Sequence, residues 1–147
     1  MLRALEAVAP RDSAAPHPIS FLTATNTLGQ GLVFADQVSL APRSSGAQQP
    51  DQAKTVALPD SGIGGLAGAH IHNLSLGNVF QLRTLTNASA NTSLSRISII
   101  GVGGVADTQG VERMRKAGAS AVACASALGR EGVAVFGKLA GKAVAKL

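Results

Sequence analysis

The chain has 147 residues, 46% apolar and 14% charged, enough to bury one core but too short for a complete (β/α)8 barrel of roughly 250 residues. Thirteen Lys and Arg against eight Asp and Glu leave a scattered net charge of +5, and with no Trp or Tyr and four Phe the chain offers no stacking surface for nucleic acid. One cysteine, Cys124, excludes an internal disulfide and fits a reducing compartment, and no stretch approaches the ~20 apolar residues of a membrane span.

The first predicted element is a helix over residues 2–8, where Leu2, Leu5 and Val8 fall three apart and Pro10 stops it. A loop over 11–18 follows. Residues 19–25, apolar and β-branched, form a strand that runs into the turn-like Asn26-Thr27-Leu28-Gly29-Gln30-Gly31. Leu32-Val33-Phe34 is a second short strand, and residues 36–60, with Pro42, Pro50 and Pro59, are read as a partly mobile loop. Residues 62–68 carry four glycines and read as a bend. A helix is expected over 74–85, with Leu76, Val79, Phe80 and Leu82 as its apolar set, followed by a polar loop over 86–95.

Residues 96–102 form the clearest strand, ended by Gly103-Gly104. Asp107 or Thr108 caps the next helix, which carries Val111, Met114 and Ala117 on one face and stops at Gly118. Residues 119–125 form a strand of small residues. The last helix starts near Arg130 or Glu131, with Val133, Phe136, Ala140, Ala143 and Leu147 as its inner stripe and Lys138, Lys142 and Lys146 on a solvated face. Strands alternating with helices imply an α/β fold of parallel βαβ units, with the last two strands buried on both faces.

Two strand ends carry residues suited to an anion. Gly101-Val102-Gly103-Gly104 precedes one helix and Ala125-Ser126 precedes another. Glycines let backbone N–H groups approach an anion, and in a (β/α)8 barrel the phosphate site follows the last two strands. A tight βα turn without a ligand is the alternative. The third glycine of a dinucleotide-binding fingerprint is missing. Asn26, at another strand end, offers both a donor and an acceptor to a planar ring with carbonyl and amide edges, or serves as a turn residue. His70 and His72 would share one face of a strand, but no acidic or thiol partner is in register, so no metal site is expected. Cys124 is read as a small core residue, and no spacing suggests a nucleophile.

Taken together, several blocks resemble class 1 dihydroorotate dehydrogenases, the FMN-dependent, fumarate-type family. They are Thr25-Asn26-Thr27-Leu28-Gly29-Gln30-Gly31, Gly62-Ile63-Gly64-Gly65-Leu66-Ala67-Gly68-Ala69-His70-Ile71 and Ser75-Leu76-Gly77-Asn78-Val79. The match continues through Ile99-Ile100-Gly101-Val102-Gly103-Gly104-Val105, Gly118-Ala119-Ser120 and Ala125-Ser126-Ala127-Leu128-Gly129-Arg130-Glu131-Gly132. The resemblance implies a TIM (β/α)8 barrel, of which residues 1–147 form the C-terminal portion, about the last three βα units. It implies that Asn26 and Thr27 contact the dihydroorotate or orotate ring and that Thr25 lies beside the flavin. Gly68 would meet the flavin by its backbone, and Gly103, Gly104, Ala125 and Ser126 would cradle the FMN phosphate.

The departures are specific. Ala125 stands where the family has Gly, which is tolerable only at negative φ. His72-Asn73 replaces Lys-Pro, Ala67 replaces a Gly, and the loops over 36–60 and 86–95 are longer than usual. The family's catalytic Cys base and flavin-contacting Lys match no residue here, so no catalytic residue is assigned and negligible turnover is expected of the chain alone. The resemblance further implies oxidation of dihydroorotate to orotate in pyrimidine biosynthesis, fumarate as acceptor, a homodimer and a cytoplasmic location. The alternative is a non-catalytic paralogue that keeps at most an FMN or phosphate site.

Overall fold

A computed structural model of the chain describes residues 1–38 and 55–141. The described residues divide into two compact units, one of Met1–Asn26 with Ala67 onward and one of Thr27–Leu66.

The first unit is built on a parallel sheet. Three runs of apolar and small residues become β1 (Phe21–Ala24), β4 (Ser98–Val102) and β5 (Ala121–Ala123), in the order β1-β4-β5. Ala24 lies beside Gly101 and Gly101 beside Val122, so the three strands end at one level. The ladder runs one step further, where the Thr25 N–H donates to the Val102 carbonyl at 2.8 Å. Each parallel step needs a crossover. Helix α3 (His72–Ala88) lies between β1 and β4 in the chain, and α4 (Thr108–Lys116) joins β4 to β5.

Ile99, Val79 and Met114 are fully buried and form the core with Leu82, Val105 and Ala119. Gly101 is small because it must be: a Cβ there would come within 2.9 Å of Met114 Sδ and 3.1 Å of Ala119 Cβ. Helix α4 starts where expected, with Asp107 Oδ1 accepting from the Gly110 N–H at 2.6 Å. It stops at Gly118, whose φ of +108° suits glycine alone. Arg83 of α3 then donates to the Gly118 carbonyl at 3.2 Å and the Ser95 carbonyl at 3.1 Å. A second cluster, Leu5 of α1 (Leu2–Val8) with Leu94 and Ile97, closes the other end of the unit. There His17 accepts from the Ile19 N–H on Nδ1 and so donates from Nε2 to the Leu5 carbonyl.

The second unit is an antiparallel pair, β2 (Leu28–Leu32) with β3 (Ile63–Leu66), plus the short helix α2 (Ala35–Val38) and a bridge between Phe34 and Val56. Both strands correct the reading of residues 26–31 as a turn and 62–68 as a bend. Their glycines serve close approach: a Cβ on Gly31 would lie 3.1 Å from the Gly64 carbonyl oxygen.

Four further expectations change. Helix α3 runs to Ala88, through the start of the predicted polar loop, and Phe80 is 61% exposed because it lies more than a quarter of a turn round from the buried Val79. Strand β5 is an edge with Ala121 and Ala123 exposed, so only β4 approaches burial on both faces. The last helix begins at Ser126 and is split into α5 (Ser126–Glu131) and α6 (Ala134–Leu139) by Gly132 at φ +62°. The break rephases the apolar stripe: Val135 is buried, whereas Val133 is 80% exposed and Phe136 54%. Within the predicted loop 36–60, residues 39–54 lie outside the described residues, as do Lys142, Ala143, Lys146 and Leu147. Among the described residues no helix is long and apolar enough to cross a membrane.

Candidate functional site

Parallel strands place the residues that follow them along one edge of a sheet, and ligands of α/β folds bind at that carboxyl edge. Here the edge carries Thr25-Asn26 after β1, Gly103-Gly104 after β4 and, beyond β5, Ala125-Ser126.

The glycine segments come together. Gly68, at φ +74°, opens the 3₁₀ turn before α3, and a Cβ on it would lie 3.7 Å from the Ser126 Cβ and Oγ. Gly104, at φ +68°, packs so closely that a Cβ would lie 2.7 Å from the Gly68 carbonyl oxygen and 2.7 Å from His72 Cβ. Gly103, at φ +130°, leaves no room either, since its Cβ would collide with Ser75 Oγ. Ser75 Oγ is fully buried and has no hydrogen-bond partner among the described residues. Ala125 has φ −116°, so the methyl group that replaces the family's glycine is carried without strain. The N–H groups of Gly104 and Ala125 find no acceptor among the described residues. Close-packed glycine loops with unspent N–H donors are what an anion requires, so the residues present fit a phosphate group.

Thr25 and Asn26 lie elsewhere on the edge. They line a cavity of about 320 Å³ between β1 and α3, with Asn78, Gln81, Leu82 and Leu85 on its other wall. Asn78 Nδ2 donates to Thr25 Oγ1 at 2.8 Å. The cavity does not reach Gly68, Gly103, Gly104 or Ser126. Thr27 belongs to the second unit, where it sits over Gly65.

His70 and His72 do not share a strand face, which corrects that part of the reading. They fall in the helical turn that starts α3; His70 is exposed and His72 is buried. No group of His, Cys, Asp and Glu among the described residues is placed to hold a metal ion. Cys124 follows β5 and packs, half-buried, against the core. Sequence reasoning missed two residues here. His72 Nδ1 pairs with the Gly103 carbonyl at 2.9 Å, and Arg113 Nε donates to His72 Nε2 at 3.1 Å. The spacing of His72 just after Gly68 was the available signal, but the bond to Gly103 spans a strand and a helix and leaves no local trace.

The sequence pattern of the dihydroorotate dehydrogenase family matches residues 11–147. This chain belongs to the dihydroorotate dehydrogenase family. It is 29% identical over 122 residues to dihydroorotate dehydrogenase A (fumarate) of Lactococcus lactis subsp. cremoris, covering 83% of this chain and 32% of that protein. Counterparts assigned to the same enzyme in Streptococcus equi subsp. equi and Streptococcus agalactiae serotype Ia are 29% and 30% identical over 123 and 120 residues. Those alignments cover 84% and 82% of this chain and 32% and 31% of the relatives. The chain therefore spans about a third of the length of the curated relatives it matches. The family is one of oxidoreductases, and the mixed α/β structure with its parallel sheet is consistent with part of the family's domain.

Proposed function

We propose that this chain supplies the cofactor-phosphate cradle and the ring-contacting strand end of an FMN-dependent oxidation of dihydroorotate to orotate, with fumarate as the final acceptor. The observation that carries the reading is the packing of Gly68 and Gly104 on one another and of Gly68 on Ser126, within a chain of this family. FMN, when bound, supplies the hydride acceptor. The chain's own residues bind and orient. Gly103, Gly104, Ala125 and Ser126 would hold the phosphate through backbone N–H groups, and Gly68 would lie against the flavin by its backbone. Asn26 and Thr27 would present amide and hydroxyl groups to the substrate ring, and Thr25, fixed by Asn78, would stand beside the flavin.

The same reading makes the assembly a cytoplasmic homodimer in pyrimidine biosynthesis. It assigns no proton-transfer group to this chain: Cys124 packs against the core, and no other thiol is present. A second reading, a non-catalytic relative that binds FMN or phosphate, shares the cradle. Titration of the purified chain with FMN, followed by flavin fluorescence, tests the shared claim. Binding at micromolar FMN that is abolished by Gly104→Asp is the expected result. Absence of binding, or binding indifferent to Gly104→Asp, overturns it. Orotate formation from dihydroorotate when the chain is combined with the Cys-bearing part of a family member would then separate the two readings.

A further inference from the structure

The loop that ends β4 is held from inside by one side chain. His72, nine-tenths buried at the start of α3, has both ring nitrogens engaged, Nδ1 with the Gly103 carbonyl at 2.9 Å and Nε2 with Arg113 Nε at 3.1 Å. The chemistry of the two partners fixes the proton. A carbonyl oxygen only accepts and an arginine Nε only donates, so the ring is neutral with its hydrogen on Nδ1. Arg113 is itself steadied by Asp107, whose Oδ1 lies 3.9 Å from its Nη2 while capping α4.

A peptide unit is planar and trans, so a carbonyl and the N–H of the next residue point in opposite directions. Holding the Gly103 carbonyl against His72 therefore turns the Gly104 N–H away from the His72 ring. That N–H has no acceptor among the described residues. Gly104 also packs directly on the His72 backbone, 3.0 Å from its Cα to a would-be Cβ, so loop and helix start fit as one piece.

We propose that His72, with its tautomer set by Arg113, is a positioning residue that aims the Gly104 N–H at the phosphate of a bound nucleotide. The ligand half of this inference rests on the FMN reading above; the clamp itself does not. His72 touches neither substrate nor cofactor and acts through the Gly103–Gly104 peptide.

The test uses the full chain with three substitutions. His72→Leu removes both bonds. His72→Asn keeps a short-reach N–H for the Gly103 carbonyl. Arg113→Met keeps length but removes the donor to Nε2. Affinities for FMN and for riboflavin, which lacks the phosphate, are compared in each. Wild type prefers FMN, His72→Leu loses that preference by about tenfold, as expected for one misdirected hydrogen bond to a charged group, and His72→Asn restores most of it. Nitrogen NMR shifts of the His72 ring report the Nδ1–H form in wild type and a mixture with Nε2–H in Arg113→Met.

A His72→Leu variant that folds and keeps the full FMN preference overturns the proposal, as does an Nε2–H ring in wild type. If His72→Leu does not fold, Arg113→Met and His72→Asn carry the same comparison. If wild type binds no FMN, the flavin reading fails, and the clamp is judged by the ring tautomer and the Gly103 carbonyl-carbon shift. A carbonyl shift unmoved by substitution of His72 then overturns it.

Discussion

The two units solve the same problem, pairing strands, in different ways. The parallel sheet of the first unit is stabilised by burial: Ile99, Val79 and Met114 are out of contact with water, and every strand rests on a helix or a neighbour. Among its described residues the hairpin of the second unit has almost no inside. Of these only Gly62 is buried, while Leu32 and Ile63 are about half exposed. Its strands approach closely at Gly31, while Gly64 and Gly65 make room for the Leu58 and Thr27 side chains. A sheet held by apolar burial tolerates changes at its surface and fails when its core is cut. A two-stranded ribbon held by backbone pairing is marginal alone and depends on each turn and contact.

The largest effect expected from this contrast is at Met114. Met114→Ala leaves a cavity beside Gly101 and should cost about 2–5 kcal/mol, read as a large fall in the thermal midpoint. Ile63→Ala on the hairpin should stay within about 0.5 kcal/mol. Equal costs would break the comparison. Gly103→Ala comes next. It sets a Cβ at positive φ against Ser75 Oγ and should cost about 1–3 kcal/mol, with any flavin binding lost alongside. Asp107→Ala removes the α4 cap and should cost about 0.5–2 kcal/mol, with an Asn at the same position restoring most of it. Gly65→Ala, whose new methyl meets Thr27, should speed amide exchange in β2 and β3 and leave that of β4 unchanged. Last, Lys138→Ala cuts an exposed pair with Glu131 at 3.2 Å and should change stability by less than about 1 kcal/mol.

The legible parts of the fold were those with a local cause. Residues 96–102 read as a strand because an apolar β-branched run is bounded by Gly103-Gly104, and α4 was readable from the Asp107 cap to the Gly118 stop. The close approach of the glycine segments could be anticipated, because glycines after strands announce backbone contact. The hairpin was not legible. Leu28-Gly29-Gln30-Gly31-Leu32 and Ile63-Gly64-Gly65-Leu66 carry turn composition, and only the partner strand, distant in sequence, shows that the glycines serve close packing. Gly132 was missed as a helix break because Val133, Phe136 and Ala140 follow it at helical spacing and read as one continuous stripe. The His72–Gly103 clamp was invisible for the reason that hid the hairpin: its partners meet only once the sheet has formed.

The pairing of β1 with β4 has a consequence for synthesis. β1 is made well before its neighbour in the sheet, which follows only after the hairpin unit and all of α3 have been translated. Contacts between segments so far apart in the chain pay loop entropy before they return any stability, so they form late and slowly. Until Ser98–Val102 leaves the ribosome, Leu22 and Ala24 of the growing chain have no strand on the edge that β4 will occupy. A nascent chain stalled in that window exposes an apolar ribbon edge, the kind of surface that chaperones capture and that pairs with other unfinished copies.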